Sequence, residues 1–289
     1  MSRDHGLVVE RSIPALDAAL VAVAGPVDAA LQRLARDPRV RSVGPNLELH
    51  VAGAPCCGGD RAAVDAHAFD HARERLDAAF GPVRARTRGR DTTLVAVLDT
   101  GADARHPDLQ GALVPGRSFV DGPWDEDTHG HGTAMASLVA ARPPAGRPGL
   151  EGVAPGVKVL PLRVADRAGR ATVADVAAGI AYAADRGAQV VLLSLGCVRP
   201  SPVLDAAVRY ATARGALVVA AAGNRSANVD LHPAAHEDTL SVAACDDQGR
   251  LALATALSPT TDLLAPGVRA LAALPRGGHL EVTGSSAAA

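Results

Sequence analysis

The chain has 289 residues, of which 48% are hydrophobic, 21% charged and only 2% aromatic, with 29 Lys and Arg against 31 Asp and Glu for a formal net charge of -2. That length holds about two domains of roughly 150 residues, with a core that Ala, Val and Leu must fill. Without a basic excess or aromatic stacking platforms nucleic acid is not an expected partner, and the longest apolar stretch, residues 15–27, is broken by Asp17, Gly25 and Pro26, so no membrane span is expected. Residues 1–10 lack the apolar run and small-residue cleavage site of a secretory signal. The expected compartment is therefore cytoplasmic if Met1 is the true start and secreted if the start lies upstream. Cys56, Cys57, Cys197 and Cys245 are too few and too irregularly spaced for a disulfide framework or a zinc site.

Residues 18–23 (AALVAV) read as a strand, Gly25-Pro26 as a breaker, residues 27–36 as an amphipathic helix, and residues 47–51, after the Gly44-Pro45 turn signal, as a second strand. Residues 1–51 are thus predicted to form a small α+β unit. The Gly- and Pro-rich residues 52–60 sustain neither periodicity, and a linker is assigned to 52–74, overlapping the start of a polar helix read over 64–80. The main domain, residues 75–289, alternates aliphatic runs at 94–98, 158–163, 189–193, 216–220 and 239–243 with helical patterns. One helix begins near Thr172, with Asp175 completing an acidic capping pattern, and another starts at Ser201-Pro202 and stops at Gly215. This alternation predicts a doubly wound, mostly parallel α/β sheet, whose functional groups gather at the carboxyl ends of its strands.

Four residues at such positions can do chemistry. Asp99 follows the strand LVAVL, where a carboxylate either orients a neighbouring group or caps a turn. His131, between Gly130 and Gly132, begins an Ala-rich helix and is either a base or a core residue. Asp127 and His129 make D-x-H-x-H, a metal alternative that lacks the HExxH arrangement on a helix face. Asn224 ends the run AAAGN, where an amide either turns the chain or donates to a developing oxyanion. Ser285 and Ser286 follow Gly284 and precede small residues, so a serine here is either a helix cap or a nucleophile at a helix N-terminus.

Taken together, VAVLDTGADARHPDL, HGHGTAMA, VVLLSLG, ALVVAAAGN and GSSAAA, in that order from about Arg75 onward, resemble the subtilisin-like serine proteases. The resemblance implies a subtilisin-like fold and a serine endopeptidase that hydrolyses peptide bonds in polypeptide substrates through an acyl-enzyme. Asp99 would hold the imidazole, His131 act as base, Ser286 attack and Asn224 supply the oxyanion-hole amide. Ser286 is preferred to Ser285 because Ser285 stands where the family usually has Thr. Ser194, Leu195 and Gly196 resemble the edge that pairs with a substrate backbone, with Gly223 opposite, and Cys197 replaces a common Gly beside the specificity pocket. Residues 30–51 (ALQRLARDPRVRSVGPNLELHV) resemble the family's inhibitory propeptide, making the amino-terminal segment an intramolecular inhibitor until the linker is cut.

The resemblance implies no cofactor and no metal for the chemistry. Many relatives bind structural calcium, but here Asp121, Asp125, Glu126 and Asp127 read as an acidic surface loop. The family motif continues into a Pro and a long helix, whereas this sequence stops at Ala289, from which a fragment is expected. The alternative is a catalytically impaired, protease-like protein that binds peptides. A small-molecule hydrolase lacks G-x-S-x-G here, and an aspartic protease would need a paired carboxylate on a β-rich fold.

Overall fold

A computed structural model describes residues 7–51, 64–224, 229–253 and 255–289. The amino-terminal unit is an antiparallel hairpin of β1 (Leu7–Ile13) and β2 (Ala18–Val23), a helix α1 (Val27–Ala35) and a short strand β3 (Glu48–Val51). Helix α1 ends at Ala35 with Arg36 as its cap, close to the expected boundary. Cys56, Cys57 and most of the expected linker lie outside the described residues. Helix α2 (Ala66–Arg86) starts where Asp65 accepts a hydrogen bond from the Ala68 N–H at 2.8 Å.

The main sheet is built from β4 (Leu94–Asp99), β5 (Arg117–Ser118), β6 (Lys158–Arg163), β8 (Val190–Leu193), β10 (Leu217–Ala221), β11 (Thr239–Cys245) and β12 (Leu263–Pro266), with β7 (Arg170–Thr172) and β9 (Leu195–Gly196) outside it. Its seven strands run in the order β12-β11-β10-β8-β4-β6-β5, and every pairing is parallel. Alternate residues of β4 explain the continuous aliphatic run. Val95 and Val97 face helix α3 (His131–Ala140) and the hairpin β13 (Ala270–Leu274)–β14 (Gly278–Val282), while Ala96 and Leu98 face helices α4 (Val173–Asp185) and α5 (Pro202–Thr212). Both sides are covered, so the interior positions of β4, Val95 to Leu98, are all apolar. The terminal helix α6 (Ser285–Ala288) packs against α3.

The cap at Thr172 forms as read, its Oγ1 accepting from the Asp175 N–H at 3.3 Å. Ser201 occupies the start of α5 without a side-chain capping bond, and that helix ends at Thr212, with Gly215 turning the chain at φ +83° three residues later. Strand β4 lies between β6 and β8, so the chain reverses its direction of travel across the sheet at β4. A crevice opens at the carboxyl end of such a switch strand, and Asp99 is the residue there.

Candidate active site

Asp99 is buried, and its backbone carbonyl accepts from the Val164 and Ala165 N–H groups at 2.9 and 3.1 Å, which ties the strand end to the loop after β6. Its carboxylate receives the Thr100 N–H at 2.8 Å. His131 opens α3, and its Nδ1 lies 2.9 and 2.8 Å from the two carboxylate oxygens of Asp99. An ionised carboxylate only accepts, so the proton sits on Nδ1 and Nε2 carries the lone pair that a general base needs. Burial opposes charge on this imidazole. The Asp99 carboxylate and its hydrogen bond, assisted by Asp127, outweigh burial and hold the His131 pKa above its ordinary value.

Two glycines make that approach possible. Gly130 has φ +88°, a left-handed conformation that directs the chain into the helix. A Cβ on Gly132 would lie 2.0 Å from the Gly101 carbonyl oxygen, so only glycine lets the first turn of α3 rest on the loop after Asp99.

Asp127 is a structural residue rather than a ligand. Its Oδ1 accepts from the N–H groups of His129 and Gly130 at 3.1 and 2.8 Å and from the Thr100 hydroxyl at 2.9 Å; its Oδ2 accepts from the Thr133 N–H and Oγ1, both at 2.8 Å. It therefore caps α3, where a carboxylate favours the positive end of the helix. Burial pushes its pKa up against these donors. His129 is buried beside it, and burial lowers its pKa, so it is neutral at pH 7. Asp121 and Glu126 are exposed, and among the described residues the acidic run does not converge on a common metal position.

Ser286 lies in the first turn of α6, largely buried, and its carbonyl accepts from Ser194 Oγ at 3.2 Å. Helix α6 is in contact with α3, the helix that His131 opens. Ser285 fixes the amide of Asn224: its N–H and its Oγ donate to Asn224 Oδ1 at 2.7 and 2.9 Å, while Ser285 Oγ accepts from the Gly223 N–H at 3.0 Å. With Oδ1 engaged by Ser285, Nδ2 is the end of the amide that can donate to an oxyanion. Gly284 lies so close that a Cβ there would stand 2.6 Å from Asn224 Nδ2.

Strand β3 of the amino-terminal unit lies between two strands of the main domain. His50 and Val51 pair antiparallel with Gly196 and Leu195 of β9, and residues Glu48, Leu49 and His50 pair with Thr172, Ala171 and Arg170 of β7. Leu195 and Gly196 are thus an edge that takes an added strand. The opposite edge is β7, which the sequence reading did not single out, while Gly223 sits beside Ser285. Leu49 is fully buried, Asn46 Oδ1 accepts from the Ala174 N–H at 3.0 Å, the Leu47 carbonyl accepts from the Val173 N–H at 2.9 Å, and Arg11 pairs with Asp175. The amino-terminal unit thereby supplies acceptors to the first N–H groups of α4.

One group of possible metal donors was not legible in the sequence as a group. Ligand atoms of His106, Asp108 and His279 all lie within 4.8 Å of one another. They satisfy each other instead: the His279 Nε2–H meets Asp108 Oδ2 at 2.6 Å, His106 Nδ1 accepts from the Asp108 N–H at 3.2 Å, and the His106 Nε2–H donates to the Gly278 carbonyl at 3.0 Å. This cluster staples the loop after β4 to the β13–β14 hairpin. Cys197 and Cys245 are free thiols.

Residues 90–289 match the model of the subtilase family. The chain is 35% identical over 265 residues to a thermophilic serine proteinase of Bacillus sp. (strain AK1), covering 91% of this chain and spanning 64% of that protein. It is 37% identical over 195 residues to thermitase of Thermoactinomyces vulgaris, covering 67% of this chain and 70% of thermitase. Among solved structures, the prenylagaramide maturation protease PagA superposes with a TM-score of 0.63 at 28% identity, over 72% of this chain and 75% of PagA. A family match over residues 90–289, on a parallel sheet whose switch strand delivers Asp99 to His131, makes this chain a member of the subtilase family.

Proposed function

We propose that the protein is a serine endopeptidase that hydrolyses peptide bonds by acyl transfer. Ser286 attacks the carbonyl, His131 Nε2 takes the hydroxyl proton and returns it to the leaving amine, and Asp99 holds the imidazole and stabilises its charged form. Asn224 Nδ2 donates to the oxygen that gains charge, a contribution worth about 2.7–4 kcal/mol in comparable sites. Water then attacks the acyl-enzyme, with His131 again as base, and releases the acid product. The observation that carries this reading is the approach of His131 Nδ1 to both oxygens of Asp99, at 2.9 and 2.8 Å, which leaves Nε2 basic.

The same reading assigns polypeptides as substrates, bound as an added strand along Leu195 and Gly196, and the amino-terminal unit as an inhibitor held in the cleft. Support for the inhibitor comes from β3, which already occupies that edge, and from the match to the Bacillus relative, which covers 91% of this chain and so extends upstream of residue 90. Casein hydrolysis and labelling by a fluorophosphonate test the chemistry. Both should be present in the full chain and absent after Ser286→Ala. Undiminished labelling of that variant would remove Ser286 from its role, and peptide binding without casein turnover would favour a binding protein.

A further inference from the structure

Strands β8 and β10 are neighbours, with Leu193 in register with Ala220. Beyond that pair the two chains part, one into β9 and the other toward Gly223 and Asn224. The crevice between them opens on the nucleophile turn, because Ser194 Oγ bonds the Ser286 carbonyl on one wall and the Gly223 N–H bonds Ser285 Oγ on the other. Each wall carries a glycine, Gly196 or Gly223, and walls without side chains leave room for a substrate side chain.

Leu231 takes up that room. A Cβ on Gly223 would lie 2.4 Å from Leu231 Cδ1, and a Cβ on Gly196 would lie 3.5 Å from Leu231 Cβ and 3.7 Å from its Cδ1, so one isobutyl group touches both walls. Its backbone is pinned: the Cys197 N–H donates to the His232 carbonyl at 3.0 Å, the His232 N–H donates to the Cys197 carbonyl at 2.8 Å, and the Leu231 carbonyl accepts from the Ala235 N–H at 2.7 Å. Leu231 is only half-buried.

We propose that Leu231 fills the pocket beside Ser286 and restricts the substrate residue that supplies the attacked carbonyl to a small side chain, Gly or Ala. This rests on the endopeptidase reading above and names its substrate class. A larger side chain would have to displace a pinned leucine, and overpacking of this kind is costly. The residues that follow the docked strand in the sequence, Ala52, Gly53 and Ala54, are all small, as self-cleavage through such a pocket would require.

The test uses the full chain and peptides that differ only in the residue before the scissile bond. The wild type should favour Ala over Phe in kcat/KM by at least ~10-fold, and Leu231→Val, Leu231→Ala and Leu231→Gly should raise the Phe value progressively, to about 10–100-fold for Gly, with the Ala value nearly constant. Product-like peptides ending in Ala or Phe carboxylate read the same pocket without turnover, and competition from β3 cancels in the ratio of their Kd values. Equal use of Ala and Phe by the wild type would overturn the proposal, as would an unchanged ratio in variants that keep the wild-type melting temperature. If casein is not hydrolysed, the endopeptidase reading fails, while the Kd ratio still decides for or against Leu231.

Discussion

Ser285 donates to Asn224 Oδ1 from its N–H at 2.7 Å and from its Oγ hydroxyl at 2.9 Å, and the same hydroxyl accepts the Gly223 N–H at 3.0 Å, so one residue sets the direction of an amide that belongs to a different strand end. Loss of that hydroxyl should loosen the amide without removing it. Ser285→Ala is expected to lower kcat about 10-fold at nearly constant KM, less than the ~10²–10³ expected for Asn224→Ala, because only positioning is lost. Ser285→Thr should restore the rate. Steady-state kinetics on one peptide substrate checks all three, and an unaffected kcat in Ser285→Ala would show that Asn224 is positioned by other contacts.

Asp99→Asn keeps the shape of the acid but replaces an oxygen that accepts by an amide that donates. Facing Nδ1, that amide favours the tautomer with the proton on Nε2, where the base is needed. A fall in kcat of about 10⁴-fold is expected, with the fold retained by circular dichroism.

The pH profile follows from the same pair. His131 must be neutral to accept the serine proton, and its pKa is held above the ordinary 6.5 because the Asp99 charge and hydrogen bond, with Asp127, outweigh burial. Activity should therefore rise with pH with a midpoint above 6.5 and be lost as the pH falls through it. In Asp99→Asn the residual activity should have its midpoint at lower pH, since burial then acts without the carboxylate. A midpoint that stays in place would mean that another group controls the limb.

Gly132→Ala tests the close approach that joins the two elements. A Cβ 2.0 Å from the Gly101 carbonyl oxygen must push α3 off the loop. A loss of about 1–3 kcal/mol of stability is expected from overpacking, and on the order of 10²-fold in rate if His131 moves by about 1 Å. Thermal unfolding and kcat on the same preparation separate the two effects.

Leu49→Asp tests the amino-terminal unit as an inhibitor. Leu49 is fully buried between the unit and the main domain, and an unpaired carboxylate there would oppose docking of β3. Peptide hydrolysis by the full chain should begin faster than in the wild type, without a lag. A longer lag, or no change, would mean that β3 does not block the cleft.

Much of the fold is legible because the sheet is buried on both faces. Residues 158–163 announce a strand, and β6 spans Lys158–Arg163, since no alternation is needed where helices cover both sides. The short strands β7 and β9 carry no such signal: three and two residues are too few for a period, and they exist because β3 lies between them. The hairpin β13–β14 lies outside the five aliphatic runs read in the main domain.

Asp99, His131, Asn224 and Ser286 could be picked out because each sits where a strand ends or a helix begins, and those positions are written locally in Gly, Asn and Ser. The sequence alone determined the alternation of strands and helices, the carboxyl-edge positions of these residues and the family to which their order belongs. Only the tertiary structure decided that Asp127 serves as a helix cap, that Ser285 orients Asn224, that His106, Asp108 and His279 meet, and that Leu231 lies between Gly196 and Gly223. The reason is physical. Backbone conformation responds to neighbours along the chain, whereas a hydrogen bond or a filled pocket between residues far apart in sequence depends on how whole elements pack.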